Sequence, residues 1–117
     1  MAAGGRIINL SSSTTALMLP GYAAYVATKG AVEQFSHVLA KELGPKGITV
    51  NVVSPGPTDT ELFSQGKSEE QKQRFAQMTA LGRLGTPEDI AAAVAMLLGP
   101  DAGWVTGQNV RVNGGLI

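Results

Sequence analysis

Residues 48–57 read ITVNVVSPGP and carry the clearest fold signal in the sequence. The first six are rich in β-branched side chains, which favour a strand buried within a sheet. Pro55, Gly56 and Pro57 then end the strand, because proline lacks an N–H donor and has a restricted φ angle. The stretch predicts a buried strand followed by a loop whose glycine lets the backbone approach a ligand. A simple strand-terminating turn is the alternative interpretation.

Two further segments have the composition of strands. Residues 6–10 (RIINL) precede three serines, which indicates a buried strand that ends in a polar loop. Residues 109–112 (NVRV) predict a third strand, closed by Gly114 and Gly115.

Helical patterns lie between these strands. Residues 22–43 predict a long helix ended by Gly44, which we expect in the left-handed cap conformation. Its apolar stripe, of the kind that faces a core, consists of Val32, Phe35, Val38, Leu39 and Leu43. Residues 87–98 predict a second helix, capped by Thr86 and with Pro87 at its first position. The polar residues 61–80 predict a mobile segment with helical turns.

The order strand, helix, strand, helix, strand predicts one α/β unit over residues 1–117. Helical connections of this length favour a parallel sheet with right-handed crossovers. Three strands are few for an open parallel sheet, and the first would present an apolar unpaired edge. We therefore expect the unit to be part of a larger protein or to need a partner.

Composition excludes several classes of function. The chain has 44% hydrophobic and 15% charged residues with zero net charge, which favours neither nucleic acid nor an anionic membrane as a partner. It contains no cysteine, which rules out thiolate catalysis, and its single histidine, His37, cannot build a multi-histidine metal site. No apolar run is long enough to span a bilayer, and residues 1–5 lack signal-peptide character, so a cytoplasmic protein is expected.

A candidate proton-transfer site lies in the predicted long helix. Tyr25 and Lys29 are four residues apart and share a helix face, with Tyr22 one turn earlier. A nearby ammonium favours the phenolate form, so a tyrosine in this setting can give or take a proton. The alternative is an ordinary solvated helix face, because the spacing Y-x-x-x-K is short and common.

Ser12 strengthens the catalytic interpretation. It lies at the carboxyl end of the first predicted strand, where open α/β sheets bind their ligands. Its hydroxyl could donate to a carbonyl oxygen that Tyr25 protonates. The alternative is a polar strand end, since Ser11, Ser12 and Ser13 all suit a loop.

Four motifs in order give the sequence a family resemblance. They are Ser12, Tyr25-Val-Ala-Thr-Lys29, Asn51-Val-Val-Ser-Pro-Gly56 and Thr106-Gly-Gln-Asn-Val-Arg-Val-Asn-Gly-Gly115. Together they resemble the short-chain dehydrogenase/reductase family over residues 5–115, and most resemble its 3-oxoacyl-acyl-carrier-protein reductase-like members. The resemblance implies a three-layer NAD(P)-binding Rossmann-like fold, an α/β arrangement of parallel strands with crossover helices.

The resemblance also implies roles for individual residues. Ser12 would polarise the substrate oxygen, Tyr25 would be the general acid or base, and Lys29 would activate Tyr25 and bind the nicotinamide ribose. The loop from Pro55 and Gly56 would cradle the nicotinamide of NAD or NADP, with Thr58 contacting the carboxamide through its backbone and Thr60 through its hydroxyl. Residues 61–80 would form a substrate lid.

One departure from the family pattern stands out. The glycine-rich phosphate-binding turn is absent, as is the residue that separates NAD from NADP. We therefore expect the carboxyl-terminal half of such an enzyme, with a small carbonyl or alcohol as substrate and a homo-oligomer formed through the helix at 22–43. A non-catalytic association module is the alternative. A serine hydrolase using Ser12 and His37 is disfavoured, because there is no G-x-S-x-G elbow.

Overall fold

The computed structural model describes all 117 residues, which are organised around one parallel sheet. Its strands are β1 (Arg6–Leu10), β2 (Thr49–Pro55) and β3 (Asn109–Val112), in the order β1-β2-β3. The central strand β2 is buried except at Pro55, as its β-branched composition predicts. The predicted α/β class and parallel strands are confirmed.

Four α-helices connect and cover the strands. They are α1 (Ala23–Leu43), α2 (Glu61–Ser64), α3 (Glu69–Met78) and α4 (Pro87–Leu98). Helix α4 begins where the sequence predicts, with the Thr86 hydroxyl accepting from the Asp89 N–H. The polar segment 61–80 holds two helices, and α3 starts at a capping box formed by Ser68 and Gln71.

The end of α1 differs from the sequence expectation. Gly44 has a right-handed φ of −53° and continues into a 3₁₀ turn, Gly44–Lys46. Gly47 takes the left-handed conformation instead, with φ 73°. Proline at position 45 fits the first turn of a new 3₁₀ segment, so the chain reverses three residues later than the glycine-proline pair suggests.

Helices α1 and α4 lie on opposite faces of the sheet, which gives three layers. On one face, Asn9 donates to Ser36 of α1 and Asn109 donates to Glu33 of α1. On the other face, Arg6 donates to the Gly99 carbonyl at the end of α4. Side chains alternate between faces along a strand, so these contacts assign each helix to its side. The predicted three-layer arrangement is confirmed.

This arrangement contradicts the expectation that both crossovers are right-handed. The steps from β1 to β2 and from β2 to β3 go the same way across the sheet. Connecting helices on opposite faces therefore give the two crossovers opposite hands. The β2–β3 connection carries α2 and α3 before α4, so it is longer than a simple strand–helix–strand unit, and it is an exception to the right-handed rule.

The buried face of α1 also differs from its apolar stripe. Ser36 and Ala40 are the buried residues of α1, whereas Phe35 and Val38 are 60% and 57% exposed. Small side chains at these two positions let the helix axis approach the sheet closely. The bulky stripe residues therefore point partly outward, and the sequence prediction of a core-facing stripe is wrong for Phe35 and Val38.

The sheet is left unpaired at its β1 edge. Strand β1 is an edge strand, and Leu10 at its end is half exposed. None of the helices is both long enough and apolar enough to cross a bilayer.

Candidate functional site

The carboxyl ends of all three strands meet at one edge of the sheet. The Ser11 N–H donates to the Val53 carbonyl at 2.9 Å, and the Gly56 N–H donates to the Val112 carbonyl at 2.9 Å. Ser12 and the loop that starts at Pro55 therefore lie at the same edge, where open parallel sheets bind ligands.

The amino-terminal part of α1 brings Tyr25 and Lys29 to this edge. The Lys29 ammonium donates to the Leu10 carbonyl at 3.4 Å, two residues before Ser12. It lies 5.9 Å from the centre of the Tyr25 ring. Tyr22 packs edge-to-face on Tyr25 with ring centres 6.2 Å apart. One ammonium and two half-exposed phenols thus share one helix face beside the strand end.

The three serines after β1 have different surroundings. Ser11 is buried and donates to Glu33, and Ser13 is buried and donates to the Ser54 carbonyl at 3.0 Å. The Ser12 oxygen accepts from the Thr14 N–H at 3.1 Å and from the Thr14 hydroxyl at 2.8 Å. Because Ser12 acts only as an acceptor in these contacts, its own hydrogen stays free to donate to a ligand. Ser12 is thus the serine of this run with a donor to offer.

The loop after β2 offers two further donors. The Thr58 N–H donates to no acceptor in the chain, while the Thr58 hydroxyl is held by the Gly56 carbonyl at 3.0 Å. The Thr60 hydroxyl accepts from the Phe63 N–H at 3.1 Å as the cap of α2, which leaves its hydrogen free. A short parallel bridge between Thr58 and Gly85 holds the loop in place.

Gly56 has a packing role that the sequence did not predict. A Cβ at this position would lie 2.5 Å from the Asn113 Cβ and 2.8 Å from the Asn113 Cα. The glycine is needed because the loop passes directly against the end of β3. Close approach to a ligand is therefore not required to explain this residue.

An ion pair supports the turn that carries Gly85. The Arg83 guanidinium donates to both carboxylate oxygens of Asp89, at 2.7 Å and 3.3 Å. This hydrogen bonding, with a further contribution from the Thr86 N–H, holds the pKa of Asp89 well below its usual range. The pair also raises the pKa of Arg83. Because Gly85 pairs with Thr58, the ion pair stabilises one side of the candidate site.

A partly buried polar cluster beneath the edge was missed from the sequence. The Glu33 carboxylate accepts from Ser11 and from Asn109, and Asn109 in turn accepts from Ser54. Glu33 lies one turn after Lys29, so the same four-residue spacing that links Tyr25 to Lys29 could have drawn attention to it. Its two partners could not be found that way, because Ser11 follows β1 and Asn109 begins β3, both far from Glu33 in the sequence.

The chain is similar to proteins of known family over almost its whole length. A family model described as enoyl-(acyl carrier protein) reductase matches residues 1–117. A short-chain type dehydrogenase/reductase of Picea abies is 47% identical over 114 residues. The chain belongs to the short-chain dehydrogenase/reductase family. Family membership, which the four motifs predict, is therefore confirmed.

Other family members extend the comparison. The 3-oxoacyl-(acyl-carrier-protein) reductase of Haemophilus influenzae is 46% identical over 112 residues, and the match covers 96% of this chain. The crystal structure of the angucycline C-6 ketoreductase LanV, which has NADP bound, is 39% identical with a TM-score of 0.90 over 99% of this chain. The Rossmann-like α/β class predicted from the sequence is confirmed.

The chain is shorter than these relatives. It spans 42% of the Picea abies protein, 46% of the Haemophilus influenzae enzyme and 45% of the ketoreductase. The chain therefore spans less than half the length of each of these three proteins.

Proposed function

We propose that this chain provides the proton-transfer side of an oxidoreductase that interconverts a carbonyl and a secondary alcohol with NAD(H) or NADP(H). One observation carries the proposal: three separate chain segments present free donors at one sheet edge. These are the hydroxyl of Ser12, the ammonium of Lys29 beside Tyr25, and the N–H of Thr58. We further propose that the chain corresponds to the carboxyl-terminal half of the family domain.

The roles follow from the chemistry of each side chain. Ser12 donates to the substrate oxygen, and the Tyr25 hydroxyl gives that oxygen a proton in reduction or removes it in oxidation. The Lys29 ammonium stabilises the negative charge that remains on Tyr25 when the proton leaves. About half of the Tyr25 side chain is exposed, which leaves its hydroxyl accessible to a substrate.

The donors at this edge fit the nicotinamide end of the cofactor. The Lys29 ammonium uses one hydrogen on Leu10 and keeps two for ribose hydroxyls. The Thr58 N–H and the Thr60 hydroxyl suit a carboxamide oxygen, on the loop that begins with Pro55 and Gly56. A bound nicotinamide would supply or accept the hydride at the substrate carbon.

Similarity to named enzymes supports a finer substrate assignment. We propose a 3-oxoacyl thioester as the substrate class, supported by the 46% identity to the Haemophilus influenzae reductase. The lid over this substrate would be formed by α2 and α3, which follow the Thr60 cap directly. Equal or faster turnover of simple aldehydes than of a 3-oxoacyl thioester would contradict the assignment.

The proposal includes self-association and a cytoplasmic location. A second copy of the chain would cover the outward side of α1, supported by the exposure of Phe35 and Val38. A cytoplasmic location is proposed because reduction by NAD(P)H draws on an intracellular cofactor pool. Recovery of the protein from a secreted fraction would contradict that location.

Turnover tests the catalytic role of Tyr25. We expect Tyr25→Phe to lower kcat by about 10²- to 10⁴-fold, the contribution of a positioned general acid. Tyr22→Phe is the matched control, since it removes the neighbouring phenol and is expected to keep most of kcat. A Tyr25→Phe variant that retains its turnover would exclude Tyr25 from the mechanism.

Cofactor titration tests how much of the cofactor site the chain contains. We expect the chain alone to bind NADH and NADPH weakly in calorimetry, because it lacks a glycine-rich phosphate-binding turn. Micromolar binding would contradict this. Complete absence of turnover at saturating cofactor and substrate would favour the association module over the enzyme.

A further inference from the structure

A continuous hydrogen-bond chain runs under the candidate site. The Ser11 hydroxyl donates to one carboxylate oxygen of Glu33, and the Asn109 amide donates to the other at 3.0 Å. The Asn109 amide oxygen accepts from the Ser54 hydroxyl. The two serines are buried, whereas Glu33 and Asn109 are partly buried, so these bonds are partly shielded from solvent.

This series of hydrogen bonds links every element that carries a candidate catalytic group. Ser11 precedes Ser12, and Ser54 precedes Pro55 at the start of the cofactor loop. Glu33 lies one helical turn after Lys29 on α1, and the Ser11 hydroxyl also lies 3.3 Å from the Lys29 carbonyl. The helix that presents Tyr25 and Lys29 is thus attached by directional bonds to the strand ends that present the other groups.

We infer that Glu33 is a positioning residue for the Tyr25–Lys29 pair. Its carboxylate sets the register of α1 against β1 and β3, and so fixes where the Lys29 ammonium lies relative to Tyr25 and Ser12. The inference rests on the proposed roles of Tyr25 and Lys29, although the geometric link itself does not depend on turnover.

A carboxylate suits this role better than any neutral side chain. It accepts two hydrogen bonds on two oxygens and donates none, which matches the two donors that converge on it. Bonds to a charged acceptor are also stronger than bonds between neutral groups. Glutamine has a single acceptor oxygen, so it can accept from only one of the two donors and turns its N–H₂ group toward the other.

A second polar contact between α1 and the sheet provides a control for variants at Glu33. Asn9 donates to the Ser36 hydroxyl at 2.9 Å, and Ser36 donates back to the Val32 carbonyl at 2.7 Å. This contact joins the same two elements, α1 and β1, about one turn farther from Lys29. Ser36→Ala therefore perturbs the same helix without removing any of the hydrogen bonds that join Ser11, Glu33, Asn109 and Ser54.

The test uses the small number of tyrosines. The chain has two tyrosines, so incorporation of meta-fluorotyrosine gives two fluorine NMR lines, which Tyr22→Phe assigns. Lys29→Met supplies the reference position of the Tyr25 line when the ammonium is gone. We expect Glu33→Ala and the milder Ser11→Ala to move the Tyr25 line toward that reference, while Ser36→Ala leaves it in place.

A double variant tests the hydrogen-bond pattern itself. Glu33→Gln alone brings two donors together, and Asn109→Asp alone brings two carboxylates together, so each single change is expected to move the Tyr25 line. The combined Glu33→Gln/Asn109→Asp protein can form all three bonds again, with donor and acceptor exchanged only in the bond between residues 33 and 109, and we expect the line to return to its wild-type position.

The outcomes separate this inference from the proposed function. A Tyr25 line that stays in place in folded Glu33→Ala and Ser11→Ala proteins overturns it, as does an equal movement in Ser36→Ala. A double variant that fails to restore the line also overturns it. If the line moves as expected while Tyr25→Phe keeps its turnover, the positioning link stands and the proposed acid–base role fails.

Discussion

Gly56 and Gly30 show how different two glycines can be. Gly56 lies against the end of β3, where Asn113 leaves no room for a side chain. Gly30 lies within α1, and a Cβ there would meet no atom within 4 Å. Residue type is the same at both positions, but only at Gly56 do the surroundings require a glycine.

Alanine at these positions is expected to change stability in opposite directions. Gly56→Ala forces Asn113 or the loop to move, and we expect it to lower the free energy of unfolding by about 1–3 kcal/mol. Gly30→Ala removes a poor helix former without a clash, and we expect a gain of about 0.5–1 kcal/mol. Urea denaturation measures both, and a neutral Gly56→Ala would contradict the close contact.

The Arg83–Asp89 pair predicts a dependence of stability on pH. The pKa of Asp89 is lowered in the folded state, so its stabilising contribution is present above the unfolded-state pKa of about 3.9 and is lost as the pH falls below it. We expect Asp89→Asn to lower Tm at neutral pH, with the gap to wild type narrowing below about pH 4.

Glu88→Gln is the control for this effect. Glu88 is exposed in the same first turn of α4 but takes no part in the ion pair. Its Tm difference from wild type is expected to be small at neutral pH. An Asp89→Asn gap that stays constant through the acid range would show that the charge of Asp89 is not the cause.

At the scale of elements, α1 shows the limit of pattern analysis. Its boundaries follow from local signals, and the observed helix starts one residue after the predicted position. Its buried face could not be predicted, because serine at 36 and alanine at 40 contact the sheet while larger apolar residues lie outside. Hydrophobic periodicity identifies an apolar side of a helix without saying what covers it.

Helices α2 and α3 are joined by an aromatic clamp around Lys67. The Lys67 ammonium lies 4.3 Å from the centre of the Phe63 ring and 5.9 Å from that of Phe75, and it donates to the Phe63 carbonyl at 2.7 Å. The two rings meet edge-to-face with centres 5.4 Å apart. Residues 61–80, which are mostly polar in sequence, thus contain a small cation–aromatic cluster.

Loss of this clamp is expected to open the α2–α3 segment. Lys67→Gln removes a cation–π contact of about 0.5–1 kcal/mol, so chymotrypsin should cleave after Phe63 about two- to five-fold faster. Lys46→Gln, at an exposed lysine without a side-chain bond, should leave the cleavage rate unchanged. Equal rates in the two variants would show that the clamp does not hold the segment.

At the scale of the molecule, the exposed side of α1 predicts association. Burial of Phe35 and Val38 against a second copy would remove apolar surface from water. We expect light scattering to find a dimer or larger assembly, and Phe35→Glu to convert it to a monomer. Gln73→Glu, an added charge on the exposed side of α3, should leave the assembly intact. A wild-type monomer would contradict the proposed interface.

The sequence by itself determined the order of the elements, most of their boundaries and the family. Those features depend on local signals: β-branched runs, caps such as Thr86, and motifs such as the Tyr25–Lys29 pair. The family resemblance also singled out Ser12, although residue type alone does not separate it from Ser11 and Ser13.

Only the tertiary structure decided which serine keeps a free donor, which face of α1 is buried and which hand each crossover takes. It also revealed that Glu33 joins Ser11 to Asn109, residues far apart in the chain. These properties depend on contacts between distant segments, and such contacts leave no periodicity or local motif in a single sequence.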